Sequence, residues 1–129
     1  MYDYVKYLNL FFKKNGRDIS GVDCYGLAMM VAKEQAGIDF PEMNNAPVEE
    51  NLIDEIINEN QNKLEEIEKP EPFCLVLFSI TPPYKHHVGL VLDDCKRFIH
   101  IREGHRAKID RLDSQLWKPM IKGFYKNAR

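Results

Sequence analysis

The apolar residues of this chain keep two different periods. In the first half they return every three or four positions, the spacing of one helical face. In the second they come as short runs broken by turn residues, as strands do. Tyr4, Leu8, Phe11 and Phe12 predict a first short helix, closed at Lys13-Lys14-Asn15-Gly16, where Asn-Gly favours a turn. Leu27, Ala28, Val31 and Ala32 predict a second helix of about three turns, ended by the C-cap glycine of Ala36-Gly37. Between Val48 and Ile67, the residues Leu52, Ile53, Ile56, Ile57, Leu64 and Ile67 form one stripe on an acidic background. That pattern predicts an amphipathic helix, broken around 58–62.

Lys69-Pro70-Glu71-Pro72 stops helix formation, and the pattern then becomes that of a sheet. Residues 74–78 read as a continuous apolar strand buried on both faces. Residues 88–92 and 97–101 flank the turn-forming Asp93-Asp94 as a hairpin, and 107–112 and 121–125 add two further strands. Helices first and an antiparallel meander later predict an α+β fold, with N-terminal helices packed on an antiparallel sheet of about five strands. A chain of 129 residues is expected to be one domain, residues 1–129. Its parts would be a first half, 1–47, an acidic helical insertion, 48–69, and the sheet, 73–126.

Composition narrows the classes. No run approaches the roughly 18 apolar residues of a membrane span. The start, Met1-Tyr2-Asp3-Tyr4-Val5-Lys6, lacks the basic and apolar regions of a signal peptide, so synthesis in a cytoplasm without a leader is expected. Cysteines at 24, 74 and 95 are odd in number and scattered, which argues against a disulfide framework and a zinc ribbon. The net charge of −2 hides an acidic stretch at 48–68 and a basic excess from Lys85 onward. The basic residues carry no nucleic-acid motif or stacking platform, so a solvated face or an acidic substrate or partner is the better reading.

Chemistry enters with Cys24. It sits where a polar loop becomes the second helix, so unpaired N–H groups and the positive end of the dipole would favour thiolate over thiol. Simple burial in the core is the competing reading of a lone cysteine. The hairpin supplies what could activate it. His87, Gly89 and Val91 share one strand face, as do Phe98, His100 and Arg102 on the partner. If the turn is centred between Asp93 and Asp94, residues whose numbers sum to 187 are opposed. His87 then faces His100 at roughly 5 Å between Cβ atoms. Gly89 would leave room for the helix bearing Cys24. A nucleophile, a base and an orienter of the base form the logic of covalent hydrolysis, in the roles of Cys24, His87 and His100. His86 and His105 read as ordinary surface or satisfied side chains, and a zinc site lacks any HxxxH or CxxC pairing.

With these residues assembled, the chain resembles the NlpC/P60 family of papain-like cysteine peptidases, and within it the tail-assembly proteins of long-tailed bacteriophages. The resemblance rests on Gly16-Arg17-Asp18, Gly21-Val22-Asp23-Cys24-Tyr25-Gly26-Leu27, Ala36 to Pro41, the strand 75–78, His87 to Leu92, Phe98-Ile99-His100 and Trp117 with 121–125. It implies a thiol protease that degrades cell wall, hydrolysing amide bonds in peptidoglycan stem peptides after a γ-linked D-glutamate, with no cofactor. It also implies possible contact with other phage tail proteins and a place in the virion tail, where an assembly subunit with an idle or self-processing site is the alternative. By the same match Asp23 would bind the substrate's amino end, and the Cys24 N–H would donate to the oxyanion. Phe12 stands where many members carry a substrate-site tyrosine, and Tyr25 where a serine is common.

Overall fold

Asp23 organises the start of the helix that the sequence predicts. Its side chain accepts a hydrogen bond from the Gly26 N–H at 2.7 Å and so caps helix α1, Cys24–Ala36. The helix ends at Gly37, whose left-handed φ of 68° lets the N–H groups of Gly37 and Ile38 return to the carbonyls of Lys33 and Ala32. The computed structural model describes residues 1–41, 63–81 and 85–128. Among these, α1 is the only α-helix, and no helix is long and apolar enough to cross a membrane.

A two-stranded ribbon, β1 (Arg17–Asp18) and β2 (Gly21–Val22), precedes α1. Six antiparallel strands then form the main sheet: β3 (Leu64–Ile67), β4 (Leu75–Thr81), β5 (Lys85–Val91), β6 (Arg97–His100), β7 (Lys108–Arg111) and β8 (Ile121–Asn127). Their spatial order is β3-β8-β4-β5-β6-β7. Helix α1 covers one face, burying Leu27, Ala28 and Val31 against Leu75, Leu77, Val88, Leu90 and Ile99. The other face has a core of its own, built from Cys74, Val76, Phe78, Val91, Phe98, Leu112 and Trp117. Apolar side chains on both faces are why 74–78 reads as an unbroken run.

The fold is α+β as expected, but three expectations are corrected. The first predicted helix is a single 3-10 turn, Val5–Tyr7, followed by extended chain, so the sheet is not packed by a pair of N-terminal helices. The backbone of residues 10–13 instead bonds Ala107 and His105 on one side and Val22 on the other, at 2.9–3.2 Å. A lone short helix is marginal in water, and these partners outcompete it.

The acidic helix is overturned where it can be seen. Leu64–Ile67 is a sixth strand, paired with β8, while 48–62 lies outside the described residues. Leu64 joins the core beneath α1 and Ile67 packs with the opposite core. Apolar residues three apart point to opposite faces of a strand, and where both faces are covered that spacing imitates a helical stripe.

The third correction is the hairpin register. Leu90 pairs with Ile99 and Val91 with Phe98, so paired numbers sum to 189 rather than 187. The turn comprises residues 93–96, with Cys95 at φ 58° and the Asp94 carboxylate accepting from the N–H groups of Lys96 and Arg97. His100 therefore falls opposite Gly89, and His87 lies diagonal to it on the same face. A Cβ on Gly89 would sit 2.9 Å from Phe98 Cδ2 and 3.4 Å from His100 Cβ. The space over Gly89 is taken by that neighbouring strand and not by α1, which lies across the sheet.

Candidate active site

The diagonal brings the two histidines into direct contact. His87 Nε2 lies 2.7 Å from His100 Nδ1, and His100 Nε2 lies 2.7 Å from Asp110 Oδ2. Both rings are buried, at 1% and 0% exposure, in an aromatic box. Trp117 packs on His100 at 4.8 Å and on His87 at 5.7 Å between ring centroids, with Phe78 and Phe98 on the remaining sides. Arg102 is exposed and places its guanidinium 5.8 Å above the Trp117 ring.

Cys24 approaches from the other side of the sheet. It is 1% exposed at the head of α1, and the backbone N–H of Val88, the residue after His87, is near enough to pull its thiol pKa down. The site thus brings Cys24 to the backbone of His87-Val88, and the His87 side chain to His100. Nδ1, the ring nitrogen of His87 that His100 does not engage, is the one nearer its own main chain.

Electrostatics corrects the expectation of a resting thiolate. Burial pushes the Cys24 thiol up to about 12, outweighing the N–H groups of Val88 and of the first helical turn, which pull it down. Burial also holds His87 well below the ordinary imidazole value, helped by His100 and Arg102. His100 is lowered to about 4 by burial, against an opposing pull from Asp110. Near neutral pH these groups rest as a thiol and two neutral imidazoles, and a neutral imidazole can accept a proton.

These shifts set an acid limit on stability. The folded histidines have lower pKa values than the unfolded ones, so their contribution is full above about 6.5 and is lost as pH falls toward about 4. Thermal melts between pH 7 and pH 4 are expected to show a falling Tm that flattens when His100 is replaced by glutamine. An identical acid slope in His100→Gln would contradict this assignment.

Asp23 is buried and half satisfied. Oδ1 accepts from Gly26 N–H and from Arg17 Nη1, both at 2.7 Å, whereas buried Oδ2 has no hydrogen-bond partner among the described residues. Arg17 also donates to the Gly16 carbonyl, which ties the loop to the cap. Gly26 makes this close assembly possible. A Cβ there would run into the Gly16 carbonyl and stand 3.0 Å from Arg17 Nη1 and 3.1 Å from Asp23 Oδ1.

The other two residues expected at the substrate site are differently engaged. The Tyr25 hydroxyl donates to the Pro41 carbonyl at 2.6 Å from a buried ring. Phe12 is half-buried against the core beneath α1, its N–H bonded to the His105 carbonyl. Sequence reasoning missed Asp110, Arg17 and the Trp117 packing. Strand alternation extended from β6 to β7 could have found Asp110, since Phe98 pairs with Asp110 and His100 with Lys108.

Comparison with known proteins follows the same lines. The fold matches the NlpC/p60 domain of the peptidoglycan hydrolase SagA, with a TM-score of 0.59 and 19% identity over 94% of this chain and 90% of that one. It matches an NLP/P60-family protein of Staphylococcus aureus described as similar to lipoprotein, with a TM-score of 0.64 and 22% identity, covering 97% of this chain and 39% of that one. A Bacillus cereus protein of the NlpC/P60 family gives a TM-score of 0.63 and 20% identity, with 92% and 35% covered. This chain therefore spans little more than a third of the latter two. No curated protein sequence matches it. The NlpC/P60 family itself matches over residues 11–126, a span that takes in the capped cysteine helix and the six strands of the sheet, short only of the last residue of β8, and the chain belongs to that family.

Proposed function

We propose that this protein is a cysteine peptidase of the bacterial cell wall, cleaving amide bonds in peptidoglycan stem peptides, with Cys24 as nucleophile, His87 as base and His100 as its orienter. The observation that carries this reading is a cysteine buried at the capped start of α1, with the Val88 N–H drawing its thiol pKa down, while the preceding residue, His87, is bonded through Nε2 to a second histidine. In this mechanism the His87 imidazole takes the thiol proton as sulfur attacks the carbonyl carbon. The Cys24 N–H at the helix start donates to the oxyanion. The amide C–N bond breaks, the leaving amine carries away the proton held by His87, and water hydrolyses the thioester. Because the resting thiol is protonated, deprotonation and attack are coupled in one step.

The unpartnered Oδ2 of Asp23 suits a protonated amine, the donor that a stem peptide with a free amino end supplies. That preference supports cleavage after the γ-linked D-glutamate of a short stem. Tyr25, in place of the serine common after the cysteine, is what favours a tail-associated setting, since the phage branch of the family tolerates it. A second reading, an assembly subunit of a phage tail tip with an idle or self-processing site, is favoured by Phe12, which lacks the hydroxyl of the tyrosine that many family members carry there.

Incubation with purified peptidoglycan decides between them. Wild type is expected to release stem-peptide fragments and Cys24→Ala to release none. Equal release by both would sink the peptidase reading. A wild type that leaves the wall intact, yet binds another tail protein with or without Cys24, would establish the assembly role.

A further inference from the structure

His87 on β5, His100 on β6 and Asp110 on β7 lie on the same sheet face, each diagonal to the next. His87 on β5 reaches His100 on β6, and His100 reaches Asp110 on β7, with 2.7 Å at both joints. Two successive diagonals of this kind lie within reach of imidazole and carboxylate side chains. Asp110 is half-buried, and Lys108 Nζ stands 3.6 Å from the same oxygen that meets His100.

We infer that Asp110 is a positioning residue that sets the proton arrangement of the whole row, so that His87 keeps a bare Nδ1, the nitrogen that the proposed base uses. This inference rests on the peptidase reading for its catalytic meaning, but the proton arrangement follows from the hydrogen-bond geometry of two rings that burial keeps neutral near pH 7. A carboxylate only accepts, so His100 Nε2 must carry the hydrogen. A neutral imidazole has one N–H, which leaves His100 Nδ1 as an acceptor. Among the described residues the group facing that acceptor at bonding distance is His87 Nε2, which must therefore be the donor. His87, neutral as well, then holds its lone pair on Nδ1, the nitrogen nearer its own backbone. Reversing the Asp110 end would let His100 turn over, and His87 could then offer a useless N–H where a base is needed.

Histidine nitrogen NMR on ¹⁵N-labelled wild-type protein near pH 7 reads this directly. Both His87 and His100 are expected as Nε2–H tautomers. An Nδ1–H form of either overturns the inference, and no substitution is needed for that result. Asp110→Ala is expected to give mixed tautomers for both rings and to lower kcat about tenfold or more, by analogy with the effect of a wrong histidine tautomer, with KM little changed. Asp110→Asn, which preserves shape, should fall between wild type and Asp110→Ala. Unchanged tautomers together with kcat within twofold of wild type in Asp110→Ala would also overturn it. If wild type proves to have no hydrolytic activity, the peptidase reading fails while the tautomers still decide the relay. If hydrolysis is present and the tautomers disagree, the relay fails alone.

Discussion

Glutamine at His87 is expected to slow stem-peptide hydrolysis by about 10²- to 10⁴-fold, the usual share of a general base. Glutamine can still offer an N–H toward His100 Nδ1, and it fills much of the box formed by Phe78, Trp117 and His100. It cannot accept and return a proton near neutral pH. With the Cys24 thiol pushed up to about 12 by burial, almost none of it would ionise unaided, so loss of the base falls on the attack itself. Single-turnover release of fragments, compared at matched folded fraction, measures this. A loss below threefold in a folded variant would mean that His87 does not take the proton.

Trp117→Ala is expected to cost about 3–5 kcal/mol of stability, as truncation of a large buried aromatic does. Trp117 is 2% exposed and stands at the centre of the core away from α1, edge-on to Phe78 at 5.1 Å and to Phe98 at 5.7 Å. Removing it leaves a void against both histidine rings, and the rest of that core is too small to close over it. For a domain whose whole stability is of order 5–15 kcal/mol, the change is a large fraction. Urea denaturation should show the midpoint falling with the slope preserved. A cost below about 1 kcal/mol would mean that this core relaxes into the space or that Trp117 is less well packed than its ring contacts indicate. Surviving folded protein should also hydrolyse more slowly, because the box that holds His87 and His100 has lost a wall.

Local patterning reached a good deal of this. Asp23 before Cys24, the apolar stripe after it and Gly37 behind it were enough to place a capped helix, because capping and termination depend on neighbours within a few residues. The strands around 75–78, 88–92 and 97–101 were legible for the same reason. The failures have a common cause. Leu64 and Ile67 carry helical spacing yet form a strand, because what lies on each side of a segment is not written in it. The residues Tyr4 to Phe12 were read as a helix for want of knowing that His105, Ala107 and Val22 would line up beside them.

The site divides along the same line. Sequence by itself determined which residues carry chemistry and which share a face: a cysteine at a helix start, and His87, Gly89, His100 and their alternation, since period and capping are properties of a short stretch of chain. Only the tertiary structure decided the rest. A turn of residues 93–96, with Cys95 in a left-handed conformation, slid the hairpin by one pair and made the histidine contact diagonal. Packing on both faces of the sheet buried Cys24 and the two imidazoles, reversing the expected thiolate, because the cost of holding a charge depends on everything that excludes water around it. Strand order brought Asp110 beside His100, a neighbour ten residues away that no local period announces.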